Sequence, residues 1–214
     1  MTDFTIMRPF GPPLYYTTLP DDFINMLKEV AVETKKKNAN IGRALAGNIA
    51  TQCEAIMSTE QYDAFMQEIY IHVFKALKGF DNGEDKIIGP TVTGINFNIG
   101  KGAWMNFQMP GEFNPYHNHS GMLSSIIYID VPEDIKKEND EIEISTNSPS
   151  AGKIAFVASG SDTYLNNSCY AHQPKTGEIF IFPSSLNHLV YPFKSNVERI
   201  SMSFNMFNIV NVVP

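Results

Sequence analysis

The sequence predicts a mainly β fold with a helical layer at its N-terminal end, and three observations predict it. Apolar residues recur at helical spacing in two stretches before residue 80. After Gly89 and Pro90 the chain turns to short runs rich in β-branched and aromatic residues, punctuated by Gly, Pro, Ser and Asn. The last run, Arg199 to Val210, alternates Ile200, Met202, Phe204 and Met206 with Ser201, Ser203 and Asn205, as a strand with one apolar and one polar face requires. With 214 residues, 43% of them hydrophobic, the chain can bury a core unaided. It reads as one domain over 1–214, with an arm and helical layer over about 1–88 and a β-sandwich or barrel over about 89–214.

The elements follow in order. Thr2 to Leu19 contains Pro9, Gly11, Pro12 and Pro13 without a usable period and reads as an arm. Asp21 to Lys37 is an amphipathic helix, with Phe23, Ile24, Leu27, Val30 and Ala31 on one face. Asp21 and Asp22 lie in its first turn and Lys35, Lys36 and Lys37 in its last, where each sign suits the helix dipole. A second helix spans Ser58 to Leu77: Ser58 and Gln61 have capping-box spacing, Tyr62, Phe65, Met66, Ile69, Val73 and Leu77 form one stripe, and Gly79 is a natural stop. Strands are expected at Thr91–Ile99, Ala103–Met109, Leu123–Val131, Glu141–Ser145, Lys153–Ala158, Glu178–Phe182 and Arg199–Val210. Glu133–Asp140 and Gly160–Ala171 read as solvated loops, the first also as a possible lid.

Composition excludes several functions. A net charge of −7 repels a polyanion, so nucleic-acid binding is not expected. No leader pattern opens the chain and no run of about 18 apolar residues occurs, which argues against export and membrane spanning. Cys53 and Cys169 form neither a disulfide framework nor a CxxC site, and a reducing cytosol is the expected compartment.

Three of the five histidines stand where strands meet loops. His117 and His119 flank Asn118, and in extended chain residues i and i+2 point the same way, so the two can chelate one ion. His188 follows at another strand end, and beyond it Arg199 and Ser201 share one face of the last strand. A buried guanidinium with a hydroxyl beside it can hold a carboxylate through parallel hydrogen bonds. The set suggests a metal and an anionic co-ligand in one β-lined pocket.

From about Trp104 to Asn205 the chain resembles the non-haem iron, 2-oxoglutarate-dependent oxygenases. The resemblance rests on Pro115-Tyr116-His117-Asn118-His119, on the strand Ser125–Ile129, and on Pro174 to Ser184 leading to His188. Gly111-Glu112-Phe113-Asn114 and Glu198-Arg199-Ile200-Ser201 resemble most the subgroup found in bacteriophage genomes, especially those of marine cyanobacteria. The resemblance implies a double-stranded β-helix of the jelly-roll or cupin-like kind. It implies Fe(II) held by the proximal motif and His188, with Arg199 and Ser201 on the distal carboxylate of 2-oxoglutarate and Tyr128 and Asn106 lining that pocket. It further implies O₂ as co-substrate and, from the His188 region, protein hydroxylation as a first guess for the reaction. The host cytoplasm would be the location of a phage-encoded protein. A homodimer through the helical layer or the last strand is worth testing.

The family's proximal motif is HxD or HxE, whereas His119 stands here where the acid would be. Three readings stay open: a three-His site of His117, His119 and His188; His119 and His188 as ligands with Gly121 leaving a position open, as in halogenating relatives; or a site that no longer binds iron. Two other functions compete, a non-catalytic metal- or anion-binding jelly roll and a cupin-like three-His dioxygenase that does not use oxoglutarate. Other residues have structural readings. His72 reads as surface or half-buried, His172 as a loop residue, Trp104, Phe107, Phe180 and Phe182 as core, and Glu198 as an acid that could pair with Arg199.

Overall fold

The computed structural model describes residues 4–7, 11–37, 39–80, 92–100, 102–142, 146–158 and 168–212. In chain order its elements are β1 (Thr5–Met7), β2 (Leu14–Thr18), α1 (Asp21–Lys37), β3 (Thr51–Glu54), α2 (Thr59–Phe80), β4 (Gly94–Ile99), β5 (Trp104–Gln108), β6 (Asn114–His117), β7 (Leu123–Asp130), α3 (Glu133–Ile142), β8 (Ile154–Val157), β9 (Cys169–His172), β10 (Glu178–Pro183), β11 (Asn187–Val190) and β12 (Arg199–Val212).

The strands form two antiparallel sheets. The larger runs β1-β2-β10-β7-β12-β5-β3, with β4 also paired to β12, and the smaller runs β6-β11-β8-β9. Strands β5 to β12 wind between the sheets so that β10-β7-β12-β5 opposes β6-β11-β8-β9. This interleaving is a double-stranded β-helix, in which residues distant in sequence become neighbours across one barrel.

Strand alternation divides the core in two. Ile127, Ile129, Ile179, Ile181, Met202 and Phe204 leave the larger sheet on the side of α1 and α2, where Phe65 meets Phe204 edge to face at 5.4 Å. Ile126, Tyr128, Phe180 and Phe182 leave it on the other side and pack with Ile154, Phe156 and Val190 of the smaller sheet. Each fully buried aromatic or aliphatic side chain contributes about 1.5–3 kcal/mol relative to exposure.

Helix α1 has the boundaries its charges and apolar face predict. At α2 the capping box forms as expected: the Gln61 N–H donates to Ser58 Oγ at 3.2 Å, and the Ser58 N–H donates to Gln61 Oε1 at 3.0 Å. The helix runs through Gly79, however. A Cβ there would lie 2.5 Å from Ile6 Cγ1, so the glycine admits β1 to the helix surface instead of ending the helix. Tyr62, expected on the apolar stripe, is exposed.

Several expectations are corrected. The N-terminal arm supplies β1 and β2, which extend the sheet beside β10, where Leu14 and Tyr15 are fully buried. Strand β3, unforeseen, pairs with β5. Glu133–Asp140 is not a loop but most of α3, held by Ile135 packing with Ala151 and Phe193 and by Asn139 exchanging hydrogen bonds with the Ala151 backbone at 2.8 Å. Besides Ile135, this helix docks by polar anchors that periodicity cannot reveal. The strand expected at Glu141–Ser145 begins in α3, and its residues 143–145 lie outside the described residues, as do Gly89, Pro90 and Thr91. The loop expected over Gly160–Ala171 ends in β9, while residues 160–167 lie outside the described residues. Among the described residues, no helix is long and apolar enough to cross a membrane.

Candidate metal centre

Strands β6 and β11 pair so that His117 and His188 are direct partners across the ladder. Two residues past His117, the His119 N–H donates to Ser184 O at 2.9 Å, which turns its ring back toward the pair. Gly121 follows with φ +109°. A Cβ there would meet Met206 O at 2.9 Å, so the return into β7 needs glycine.

The three rings converge. Their centroids are 4.3 Å apart for His117 and His188, 4.9 Å for His117 and His119, and 5.0 Å for His119 and His188. One nitrogen from each can be chosen so that all lie within 4.8 Å of one another. Nε2 of His119 and Nε2 of His188 are 3.2 Å apart. Two nitrogens at adjacent positions of one ion, each at about 2.1 Å from it, would be separated by about 3 Å, so the spacing suits a shared metal.

Hydrogen bonds fix two tautomers. His117 Nδ1 lies 2.6 Å from Pro115 O and His188 Nδ1 lies 3.0 Å from Leu186 O. A carbonyl can only accept, so both Nδ1 atoms carry hydrogen and both Nε2 atoms keep a lone pair. Metal-binding histidines are usually oriented by such bonds from the second nitrogen. Burial disfavours the charged imidazolium and lowers all three pKa values, that of His119 to about 4 and that of His188 to about 3, and for these two the neighbouring imidazoles add to the effect. At neutral pH the three are uncharged donors. The donor set therefore fits a divalent transition metal.

The four residues assigned to a co-substrate also cluster, but one layer deeper. Arg199, Ser201, Tyr128 and Asn106 are each at most 4% exposed. Ser201 is the strand partner of both Asn106 and Tyr128, and the Arg199 guanidinium lies 5.7 Å from the Tyr128 ring centre. None of the four lines the cleft beside the histidines. The Arg199 fork is not open: Nη1 donates to Gly152 O and Nη2 to Gln108 Oε1. Its Nε and the Tyr128 hydroxyl, both buried, have no hydrogen-bond partner among the described residues. Two buried donors beside a positive charge suit a carboxylate. Glu198 does not compete for Arg199, since it pairs with Lys35 at 2.5 Å.

The cleft itself is narrow, with a volume of ≈ 30 Å³. Ile126 and Phe182 supply apolar wall, as expected of them. Trp104, expected as core, stands in the wall instead, 6.0 Å from the His119 ring. Gln52, Asn114, Ser203 and the loop at Leu45, Ala46 and Gly47 line it too, and sequence reasoning missed them. Only Ser203 carried a signal, sharing its strand face with Ser201. Gln52 and the loop come from the N-terminal half, where no motif marks them.

The remaining histidines lie elsewhere. His72 is buried, not at the surface: its Nδ1 is 2.6 Å from the Tyr15 hydroxyl and its Nε2 is 3.0 Å from Glu68 Oε1. His172 is on β9, where its Nε2 lies 2.8 Å from the buried Glu178 carboxylate. That carboxylate also accepts from the Tyr16 hydroxyl and the Lys175 N–H, and these bonds hold its pKa below the usual range against the raising effect of burial.

Residues 102–205, just under half of the chain, match the family described as "Putative 2OG-Fe(II) oxygenase". A solved prolyl hydroxylase in complex with a hypoxia inducible factor oxygen degradation domain peptide fragment, from Trichoplax adhaerens, is similar in fold at TM-score 0.52 and 13% identity. The match covers 97% of this chain and 84% of that one. A Pseudomonas putida prolyl-4-hydroxylase matches at TM-score 0.49 and 14% identity over 97% and 94% of the two chains. A 2OG-Fe(II) oxygenase family oxidoreductase from Burkholderia pseudomallei matches at 0.43 and 8% over 96% and 73%. No curated protein matches the chain.

Proposed function

We propose, on the match of residues 102–205 to the 2OG-Fe(II) oxygenase family, that this chain is an oxidoreductase working with Fe(II) and 2-oxoglutarate, a dioxygenase whose iron is held by His117, His119 and His188. The observation that carries this is the convergence of three neutral imidazoles within 4.8 Å. It favours the three-His reading over a site with His119 and His188 alone, because His117 also lines the cleft and its ring centre is 4.3 Å from that of His188. Three neutral ligands leave the metal one negative charge short of the HxD arrangement, which should raise its reduction potential.

Bound there, iron and 2-oxoglutarate would supply O₂ activation coupled to oxidative decarboxylation, giving succinate, CO₂ and an oxidised substrate. The chain's residues bind, orient and exclude water. Arg199 would hold the distal carboxylate by its charge and its unpaired Nε–H, with the Tyr128 hydroxyl as second donor and Ser201 and Asn106 completing the polar floor. Ile126 and Phe182 would keep the centre dry. For the reaction we propose hydroxylation of a protein side chain. This is supported by the fold similarity to a prolyl hydroxylase that was solved with a peptide. The phage-type subgroup is proposed on Gly111–Asn114 and Glu198–Ser201, and pairing of two copies on the exposed Val210 and Val212 of β12; a monomeric mass by light scattering would remove the second.

The test is anaerobic. Metal-free protein is given Fe(II) and 2-oxoglutarate, and the metal-to-ligand charge-transfer band of chelated oxoglutarate is recorded for the unaltered chain and for His117→Ala, His119→Ala and Arg199→Ala. A band weakened by all three substitutions supports the assignment. A band untouched by His119→Ala removes the three-His site, and no band from folded, metal-accessible protein removes the oxygenase reading.

A further inference from the structure

The cleft beside the histidines holds two acceptors that iron and oxoglutarate do not use. Gln52 Oε1 and Asn114 Oδ1 are buried and have no hydrogen-bond partner among the described residues, and both residues line the cleft. They reach it from different strands, β3 and β6, and meet at Gly47. A Cβ on Gly47 would lie 2.2 Å from Asn114 Oδ1, 2.8 Å from Gln52 Nε2 and 3.1 Å from Gln52 Oε1, so this glycine lets both carboxamides pack against its backbone. The polarity of Gln52 is set from behind. Its Nε2 donates to Asn106 Oδ1 at 2.8 Å, and Asn106 Nδ2 is directed at the Ser201 and Ser203 hydroxyls at 3.5 and 3.4 Å, which turns Oε1 to the cleft. A buried acceptor left unpaired is costly, and a ligand with donor hydrogens relieves it.

The surroundings set the charge of that ligand. Beside the cleft, sharing His117 and His119 with it, lies a vestibule of ≈ 530 Å³ walled by Trp104, Phe207 and the asparagines Asn98, Asn118, Asn205 and Asn208. Among the described residues lining cleft and vestibule there is no Asp, Glu, Lys or Arg. An ammonium, carboxylate or phosphate on the substrate would find no side-chain counter-ion among the described residues that line the two spaces. Aromatic and carboxamide walls suit neutral groups that both pack and hydrogen-bond.

Resting on the oxygenase reading, we infer that Gly47, Gln52 and Asn114 form a subsite for the N–H donors of an uncharged amide. The substrate then presents a neutral amide segment, the interior of a peptide or a carboxamide side chain, and free amino acids, organic acids and nucleotides are excluded. Gln52 and Asn114 are specificity residues that touch the substrate, and Gly47 is the residue whose missing side chain lets the two carboxamides come together.

The test uses the holoprotein with Fe(II) and 2-oxoglutarate under anaerobic conditions, titrated with three probes: N-acetylalanine methylamide, its N–H-free analogue O-acetyl-lactic acid dimethylamide, and free alanine. Perturbation of the charge-transfer band reports binding beside the metal. The methylamide is expected to act at a concentration about tenfold or more below the other two, the scale of one buried hydrogen bond. Gln52→Leu and Gly47→Ala, the second an exchange in a surface loop, are each expected to erase that preference. Equal or better action of alanine or of the N–H-free analogue overturns the inference. So does a preference that survives both substitutions, or a band that no probe perturbs. A missing band in the unaltered protein defeats the oxygenase reading itself, and this inference falls with it.

Discussion

The two faces of the larger sheet carry opposite chemistry on the same strands. On β12, Met202, Phe204 and Met206 enter the layer beneath the helices, while Arg199 and Ser201 enter the barrel with Asn106 and Gln108 of β5. The helix side is largely apolar, and its buried His72 has partners in Tyr15 and Glu68. Among the described residues, four of the five buried side-chain polar atoms without a partner, Gln52 Oε1, Asn114 Oδ1, Tyr128 OH and Arg199 Nε, belong to the site and its floor. One side thus supplies stability, and the other holds polar groups that folding alone leaves incomplete. A protein can keep such groups only where a second, well-packed layer compensates.

The largest expected effect separates the faces from the stable side. Phe204→Ala removes a fully buried ring and its contact with Phe65, and should lower the unfolding free energy by about 3–5 kcal/mol in a denaturant titration. Folded variant should still develop the oxoglutarate band; losing it would mean the two faces are coupled. His188→Ala works from the other side. It should weaken Fe(II) binding by more than about 100-fold, beyond the loss seen when only the groups supporting a ligand are removed. Its effect on the stability of metal-free protein should be small, measured by the same titration.

An intermediate effect comes from pH. His188 and His119 have folded pKa values of about 3 and about 4, below the ordinary histidine value of 6.5. Below 6.5 the unfolded chain takes up protons that the folded metal-free chain refuses. The stability that is fully present above about 6.5 should therefore decline as pH falls toward those folded values, by up to about 1.4 kcal/mol per pH unit for each histidine. Replacing both with Leu should flatten that decline; an unchanged slope would assign it to other groups. The smallest effect is at the rim. Glu198→Gln breaks the surface pair with Lys35, should cost at most about 1 kcal/mol, and should leave oxoglutarate affinity unchanged because Arg199 is held by Gly152 and Gln108 instead. A lowered affinity would show that Glu198 bears on Arg199 after all.

Local chemistry was legible wherever a residue's role depends on its near neighbours. The α1 boundaries, the Ser58 and Gln61 capping box and the two faces of β12 follow from spacing alone. The i, i+2 pair His117 and His119, His188 as their partner, and Arg199 with Ser201 could be named because each stands at a strand end or on an alternating face. Three kinds of feature were not legible. Helix α3 docks through Asn139 and Glu138, polar side chains bonded to backbone in other segments, and hydropathy does not register such bonds. Strands β1, β2 and β3 exist because the larger sheet has edges to pair, which no local pattern of so few residues announces. Gln52, Asn114 and Gly47 meet only when the N-terminal segment crosses the mouth of the barrel.

Sequence by itself determined the class of fold, the helix that begins at Ser58, the three imidazoles and the buried arginine, because side-chain periodicity and the chemistry of a histidine are local properties. Tertiary structure alone decided that the Arg199 fork is already engaged, that Trp104 is wall and not core, and that the carboxamides of Gln52 and Asn114 meet at Gly47. These are relations between chain segments dozens of residues apart, set by which strands pair and in which register. Slipping the β6–β11 register by one residue would send His188 to the other face of its sheet and leave His117 and His119 without it.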